Sequence, residues 1–226
     1  GTGFPGMTGS IEDIQKAEML LVAGMDITRQ NPIIGSELHM ASMNGATLVT
    51  LDSRTTQIAR LSDSFYRINP GSMKVLFNAL ASAMVANNLY DKSFVEKNTE
   101  NYNEFIKSIQ AVDIESGAKK SRLTVEELTR LAELLAKSKS AMSFFTSGIS
   151  GLDRDTIASI YNVFLLAGKI GKEGCGVNPI AGINNLQGSF DTGCAPDLLT
   201  GFQSLADQKV RSRFETAWGQ ALPAEG

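Results

Sequence analysis

The chain has 226 residues, 42% of them hydrophobic and 20% charged, enough for one sizeable core with at most an extension. A net charge of −3 and a pI near 5.3 exclude the basic field that a nucleic-acid backbone needs. Cys175, Cys194 and the single histidine, His39, lack metal-ligand spacing, which excludes zinc, iron–sulfur and histidine-rich metal sites.

Read from the start, Gly1-Thr2-Gly3-Phe4-Pro5-Gly6 fits G-x-G-x-x-G, but no strand precedes it and Pro5 lies within it. It is not a dinucleotide fingerprint. Ser10 and Asp13 have the spacing of a capping box and open a short helix. Met19 to Val22 is a continuous apolar run ending near Gly24, the pattern of a strand covered on both faces. Asn31-Pro32 caps a helix with Ile34, Leu38 and Ala41 on one face, and Asn44-Gly45 ends it. His39 falls inside that helix as a structural or surface residue. Thr47 to Leu51 is a second buried strand, Arg54 to Arg60 a helix, and Ser64 to Ile68 a third strand. From Ser72 to Lys137 the pattern is helical, with a capping box at Thr124 and Glu127 and a staple from Leu123 to Leu128. Met142 to Thr146 returns to strand and Arg154 to Ala167 to helix. This order predicts an α/β fold, a doubly wound and mostly parallel sheet with helices on both faces.

After Gly168 the character changes. Gly171, Gly174, Gly176, Gly182, Gly188 and Gly193 crowd together with Pro179 and Pro196, so a regular helix is excluded. Asn and Gln beside Ile and Phe favour an ordered loop over a linker. The expected division is a doubly wound domain over 1–170, with a helical insertion at 72–137, and a glycine-rich segment over 171–226. No apolar run approaches the ~20 residues of a membrane span. No signal peptide is visible, and the start at Gly1 leads us to expect a piece of a longer chain. The unpaired thiols suit an intracellular, cytoplasmic setting, where no disulfide is expected.

Open parallel sheets bind ligands at the carboxyl ends of their strands. Here those ends are Gly24-Met25-Asp26, Asp52-Ser53-Arg54, Asn69-Pro70-Gly71-Ser72 and Ser147-Gly148-Ile149-Ser150. A carboxylate placed like Asp52 accepts hydrogen bonds from ribose hydroxyls or a base edge, and Arg54 can hold a phosphate. Gly24, Gly71 and Gly148 let the backbone approach a nucleotide closely. The plainer reading makes each of them a turn residue or cap. Their recurrence at all four strand ends sets a nucleotide ligand level with that plainer reading.

Gly182-Ile183-Asn184-Asn185-Leu186-Gln187-Gly188, followed by Asp191, Gly193 and Pro196, resembles the G-x-N-N-x-Q-G-x-x-D-x-G-x-x-P segment of formate dehydrogenase large subunits, which are molybdopterin oxidoreductases. Gly171-Lys172 with Gly176-Val177-Asn178-Pro179, the stretch Asn88 to Val95, and Ala217-Trp218-Gly219 resemble further family segments in the same order. The resemblance implies the domain that holds half of a bis-molybdopterin guanine dinucleotide carrying Mo or W. Cofactor-binding positions would be Gly24, Asp26, Asp52, Arg54, Gly71, Gly148 and Gly182. It also implies a metal-ligating cysteine or selenocysteine and a [4Fe–4S] cluster in a preceding part, and partner subunits with iron–sulfur or flavin centres. Neither metal ligand nor cluster motif occurs in this sequence, so the chain alone is expected to be inactive.

Departures from the pattern narrow the reading. The family's R-G-Q-N-N has Ala181 and Ile183 in place of Arg and Gln, and the resemblance gives that Arg the task of orienting formate. Neither a methyl nor a sec-butyl group binds a carboxylate. Asp26 and Met73 also replace family residues, whereas Asp52 and Arg54 are kept. Three readings follow: part of an oxidoreductase with a substrate other than formate, a non-catalytic electron-transfer scaffold like the large subunit of NADH–quinone oxidoreductases, or a free nucleotide-binding module.

Overall fold

The computed structural model describes residues 7–147, 153–181 and 185–225. The Gly1 to Gly6 motif, Gly148, Gly182 and Ile183 lie outside the described residues. The first compact unit, Gly1–Ile180, is built on β1 (Met19–Ala23), β2 (Thr47–Asp52), β3 (Ser64–Arg67), β4 (Ala141–Ser147) and β5 (Gly176–Ala181). They form one sheet in the order β3-β2-β1-β4-β5. β1 pairs in parallel with β2 and with β4, and β2 with β3, so Leu21 stands opposite both Val49 and Ser143. The expected parallel α/β sheet is therefore present.

The apolar runs are continuous because both faces of the sheet are covered. Met19, Leu21, Ala23, Val49, Leu51 and Phe145 share one core with α4 (Met73–Ala86), α8 (Val125–Lys137) and α9 (Arg154–Leu166). Leu20, Val22, Leu48, Met142 and Phe144 face the other core, with Ile27 of α1 (Ile27–Gln30), Leu38 of α2 (Pro32–Met43) and Ile58 of α3 (Gln57–Leu61). Strand periodicity alone sorts neighbouring residues between the two cores.

The helical insertion resolves into α4, α5 (Lys92–Asn98), α6 (Tyr102–Gln110), α7 (Ile114–Ser121) and α8. Thr124 and Glu127 make the reciprocal bonds of the expected capping box, at 3.1 and 2.8 Å. Ser10 and Asp13 do the same, each bond 3.2 Å, at a 3-10 helix over Glu12–Lys16.

Three local expectations change. The helix expected from Arg54 begins at Gln57, because the Asp52 carboxylate accepts the Arg54 N–H at 2.8 Å and Thr56 becomes the cap. Asn31 precedes α2, but its side chain makes no cap bond; Pro32 starts the helix without an N–H to satisfy. The glycine-rich stretch holds a strand, β5, and a helix, α10 (Leu186–Asp191). Pro179 is tolerated because β5 is an edge strand.

The second compact unit, Ala181–Gly226, contains α10, a small antiparallel pair of β6 (Leu198–Leu199) with β7 (Gln203–Ser204), and α11 (Gln208–Trp218). Its motif residues have structural tasks. Gly193 has φ +82°, and a Cβ there would lie 2.6 Å from the Leu199 carbonyl carbon. The Asp191 carbonyl accepts the Gly201 N–H at 2.8 Å, and Gln203 accepts from the Arg213 guanidinium.

Candidate functional site

From β1 the chain moves outward to β2 and β3, while β4 returns to the other side of β1. That reversal makes a switch point, with a crevice at the carboxyl ends of the strands. A cavity of about 260 Å³ lies there, lined by Gly24, Asp52, Arg54, Asn69, Gly71 and Met73 among others. Four of the sequence-predicted residues, Gly24, Asp52, Arg54 and Gly71, are thus brought together.

Asp52 ends β2 and is 2% exposed. Its Oδ1 accepts the Arg54 N–H at 2.8 Å and lies 3.7 Å from the Arg54 Nε. Its Oδ2 is buried with no hydrogen-bond partner. A buried oxygen of this kind costs free energy until a donor arrives. The Arg54 side chain is 73% exposed, so its pull on Asp52 is screened and its guanidinium is free to meet an anion.

Gly24 turns the chain out of β1 with φ +65°, and its N–H donates to the Leu51 carbonyl at 2.8 Å. A Cβ there would meet the Met73 Cε at 3.2 Å, so glycine keeps both the turn and the opening. Gly71 has φ +75° with nothing near a built Cβ; conformation, not space, requires glycine. Ser72 precedes α4 and makes no side-chain cap bond, and Met73, the first residue of this 14-residue helix, lines the crevice.

Asp26 is absent from the lining; its Oδ1 accepts the Thr28 hydroxyl at 2.9 Å. Asp153 and Thr156 at the start of α9 line the cavity instead and were not foreseen. Their signal was the Asp-x-x-Thr spacing of a cap. Asp153 accepts the Thr156 N–H at 2.9 Å and hydroxyl at 2.8 Å, and these bonds hold its carboxyl below the usual carboxylate range, the backbone bond foremost. Ala181 ends β5, half-buried. Among the described residues no cluster of His, Cys, Asp and Glu could hold a metal ion, and no helix is long and apolar enough to cross a membrane.

The family model described as molybdopterin oxidoreductase matches residues 4–210. The chain is 32% identical over 225 residues to formate dehydrogenase H of Escherichia coli, covering 98% of this chain and 32% of that protein. It is 32% identical over 218 residues to the F420-dependent formate dehydrogenase subunit alpha of Methanocaldococcus jannaschii, covering 96% of this chain and 32% of that protein. Acetylene hydratase from Pelobacter acetylenicus superposes with a TM-score of 0.60 at 20% identity, over 75% of this chain and 23% of that one, a likeness of fold. The chain spans about a quarter to a third of the length of its curated relatives, 23% to 32%.

Proposed function

The chain belongs to the molybdopterin oxidoreductase family, with relatives of the formate dehydrogenase type, and from that premise we propose that it is the section of a larger oxidoreductase subunit that holds the nucleotide end of a bis-molybdopterin guanine dinucleotide. The observation that carries this reading is the orphaned, buried Oδ2 of Asp52 in the crevice. A carboxyl oxygen without a partner accepts, so the missing partner is a donor such as a ribose hydroxyl or the N–H edge of a purine. Gly24 supplies a place where backbone approaches ligand, and Arg54 with the start of α4 supplies positive potential for a phosphate. These groups fit the nucleotide end. The cofactor, with Mo or W, would supply the redox chemistry. This chain's residues bind and orient it and, among those described, offer no metal ligand.

On the same reading a [4Fe–4S] cluster and the metal-ligating cysteine or selenocysteine belong to other parts of the intact protein. Partner subunits carry iron–sulfur or flavin centres, and the assembly is cytoplasmic. Gly148 and Gly182 complete the cofactor-binding set, with Asp26 acting through the turn it shares with Thr28. The chain alone has no turnover. Ala181 and Ile183 point the intact enzyme to a substrate other than formate, because neither side chain can hold a carboxylate.

The test is cofactor retention by the intact protein, purified anaerobically from a host that makes the cofactor. Acid-released guanine nucleotide and pterin fluorescence are measured for wild type and Asp52→Asn. We expect the variant to retain about tenfold less, the equivalent of ~1.4 kcal/mol, within the range for a single hydrogen bond. Equal retention would overturn the role of Asp52.

A further inference from the structure

A second cavity lies away from the crevice, at the other end of α9. Its volume is about 220 Å³ and its apolar walls are Val95, Tyr102, Phe105, Leu165 and Leu166. Leu165 lies nine residues beyond Thr156, or ~14 Å along the helix axis. The cofactor reading therefore leaves this space unused.

The cavity exists because α6 closes at one end only. Tyr102, Phe105, Ile106 and Ile109 recur at helical spacing on the inward face of α6. Ile109 is buried, whereas Tyr102 and Phe105 are half-buried. The ring of Tyr102 sits 6.4 Å from that of Tyr90, tilted by 46°. Desolvation, then the hydrogen bond and charge of Tyr90, then the charge of Glu96, push the Tyr102 phenol up to about 12.

The lip is acidic. Glu100 lines the cavity, and an adjoining depression shares Thr99, Asn101 and Tyr102 and adds Glu96 and Glu104. Glu96 pairs with Lys92 at 3.8 Å, both largely exposed. Among the described residues Glu100 and Glu104 have no ion pair, and Lys97 is the one cation between Glu96 and Glu104. Apolar walls, two aromatic rings and unpaired carboxylates at the rim together select one kind of guest.

We propose that this cavity binds a small organic cation with an apolar body about the size of one aromatic ring. An apolar cavity of ~150 Å³ already accommodates benzene, so this one has room for a ring and a small charged head. The ring packs against Leu165 and Phe105, and the cation lies near the Tyr102 ring and the carboxylates at the rim. No anion or metal is required, and binding is independent of cofactor loading.

The test uses the 226-residue chain with benzyltrimethylammonium as probe, followed by backbone amide NMR. Saturable shifts are expected at residues 99–105 and 162–166, with benzyl alcohol weaker and benzoate weakest, and with cation affinity falling as salt rises. Leu165→Trp fills the space and should abolish the shifts. The double variant Glu100→Gln, Glu104→Gln leaves the walls intact and keeps the idea testable should the tryptophan variant not fold. It should weaken the cation about three- to fivefold and leave benzyl alcohol unchanged. No saturable shifts at these residues would overturn the site. Equal binding of the alcohol or benzoate, or an unaffected double variant, would overturn the choice of a cation.

Discussion

An Asp52→Asn substitution keeps an oxygen for the Arg54 N–H and replaces the orphaned oxygen by an N–H₂ donor. Without ligand the change should be small, within about 1 kcal/mol in urea unfolding, since no internal bond is lost. A large loss of stability would instead reveal an internal partner for Oδ2. Gly24→Ala acts through the backbone. Holding alanine at φ +65° costs about 1–2 kcal/mol, and the new methyl meets the flexible end of Met73. A lowered urea midpoint and reduced cofactor retention are the expected pair of results. For the intact protein, formate-dependent dye reduction should be weak with Ala181 and Ile183 in place. Turnover matching formate dehydrogenases would remove the argument from those two side chains.

At the scale of single elements, helix starts show which local signals survive folding. The boxes at Ser10 and Thr124 need only residues three apart, and both form as read. Asp91 is a cap of another kind. It accepts the Phe94 N–H at 2.9 Å and the Ser93 hydroxyl at 2.8 Å, while its own N–H donates to the Leu166 carbonyl at 2.8 Å and ties α5 to α9. The bond from Phe94, then that from Ser93, hold the Asp91 carboxyl below its ordinary value of 3.8. A folded-state value below the unfolded one stabilises fully above pH 3.8, and the contribution is lost as pH falls through the depressed folded value. Asp91→Ala should therefore cost about 1 kcal/mol at pH 7. The gap from wild type should close in the most acid part of a denaturation series. A constant gap at all pH values would mean that packing, not the charged cap, is what the substitution removes.

For the whole molecule, the first unit has two cores on one sheet and the second has its own hairpin and helix. A chain ending at residue 181 should keep β1 to β5 and unfold in one cooperative transition by far-UV circular dichroism. A broad, non-cooperative melt would show that the sheet depends on residues beyond 181. Ligand linkage gives a further check on the intact protein. A group bound only by the folded state raises stability by mass action, so cofactor-loaded protein should melt higher than cofactor-free protein. That difference should shrink in Asp52→Asn.

Sequence alone determined the strands at 19–22, 47–51, 64–68 and 142–146, the capping boxes and the motif from Gly182 to Pro196. The strands and boxes are set by residues within a turn or two of one another, so period and spacing reveal them, whereas the motif was legible as a family resemblance. It also offered Asp52 and Arg54 as candidates, because a carboxylate and a guanidinium at a strand's carboxyl end suit a nucleotide as well as a turn. Tertiary structure alone decided that Ala141 lies opposite Met19, which creates the switch point between β1 and β4. It also made Pro179 part of an edge strand rather than a loop. Asp26 and Asp52 follow neighbouring strands and look alike in the sequence. One bonds Thr28 and is absent from the cavity lining; the other is in the lining, almost wholly buried, with an oxygen unmatched. The distinction rests on which distant groups close around each carboxylate, and local spacing contains no record of them.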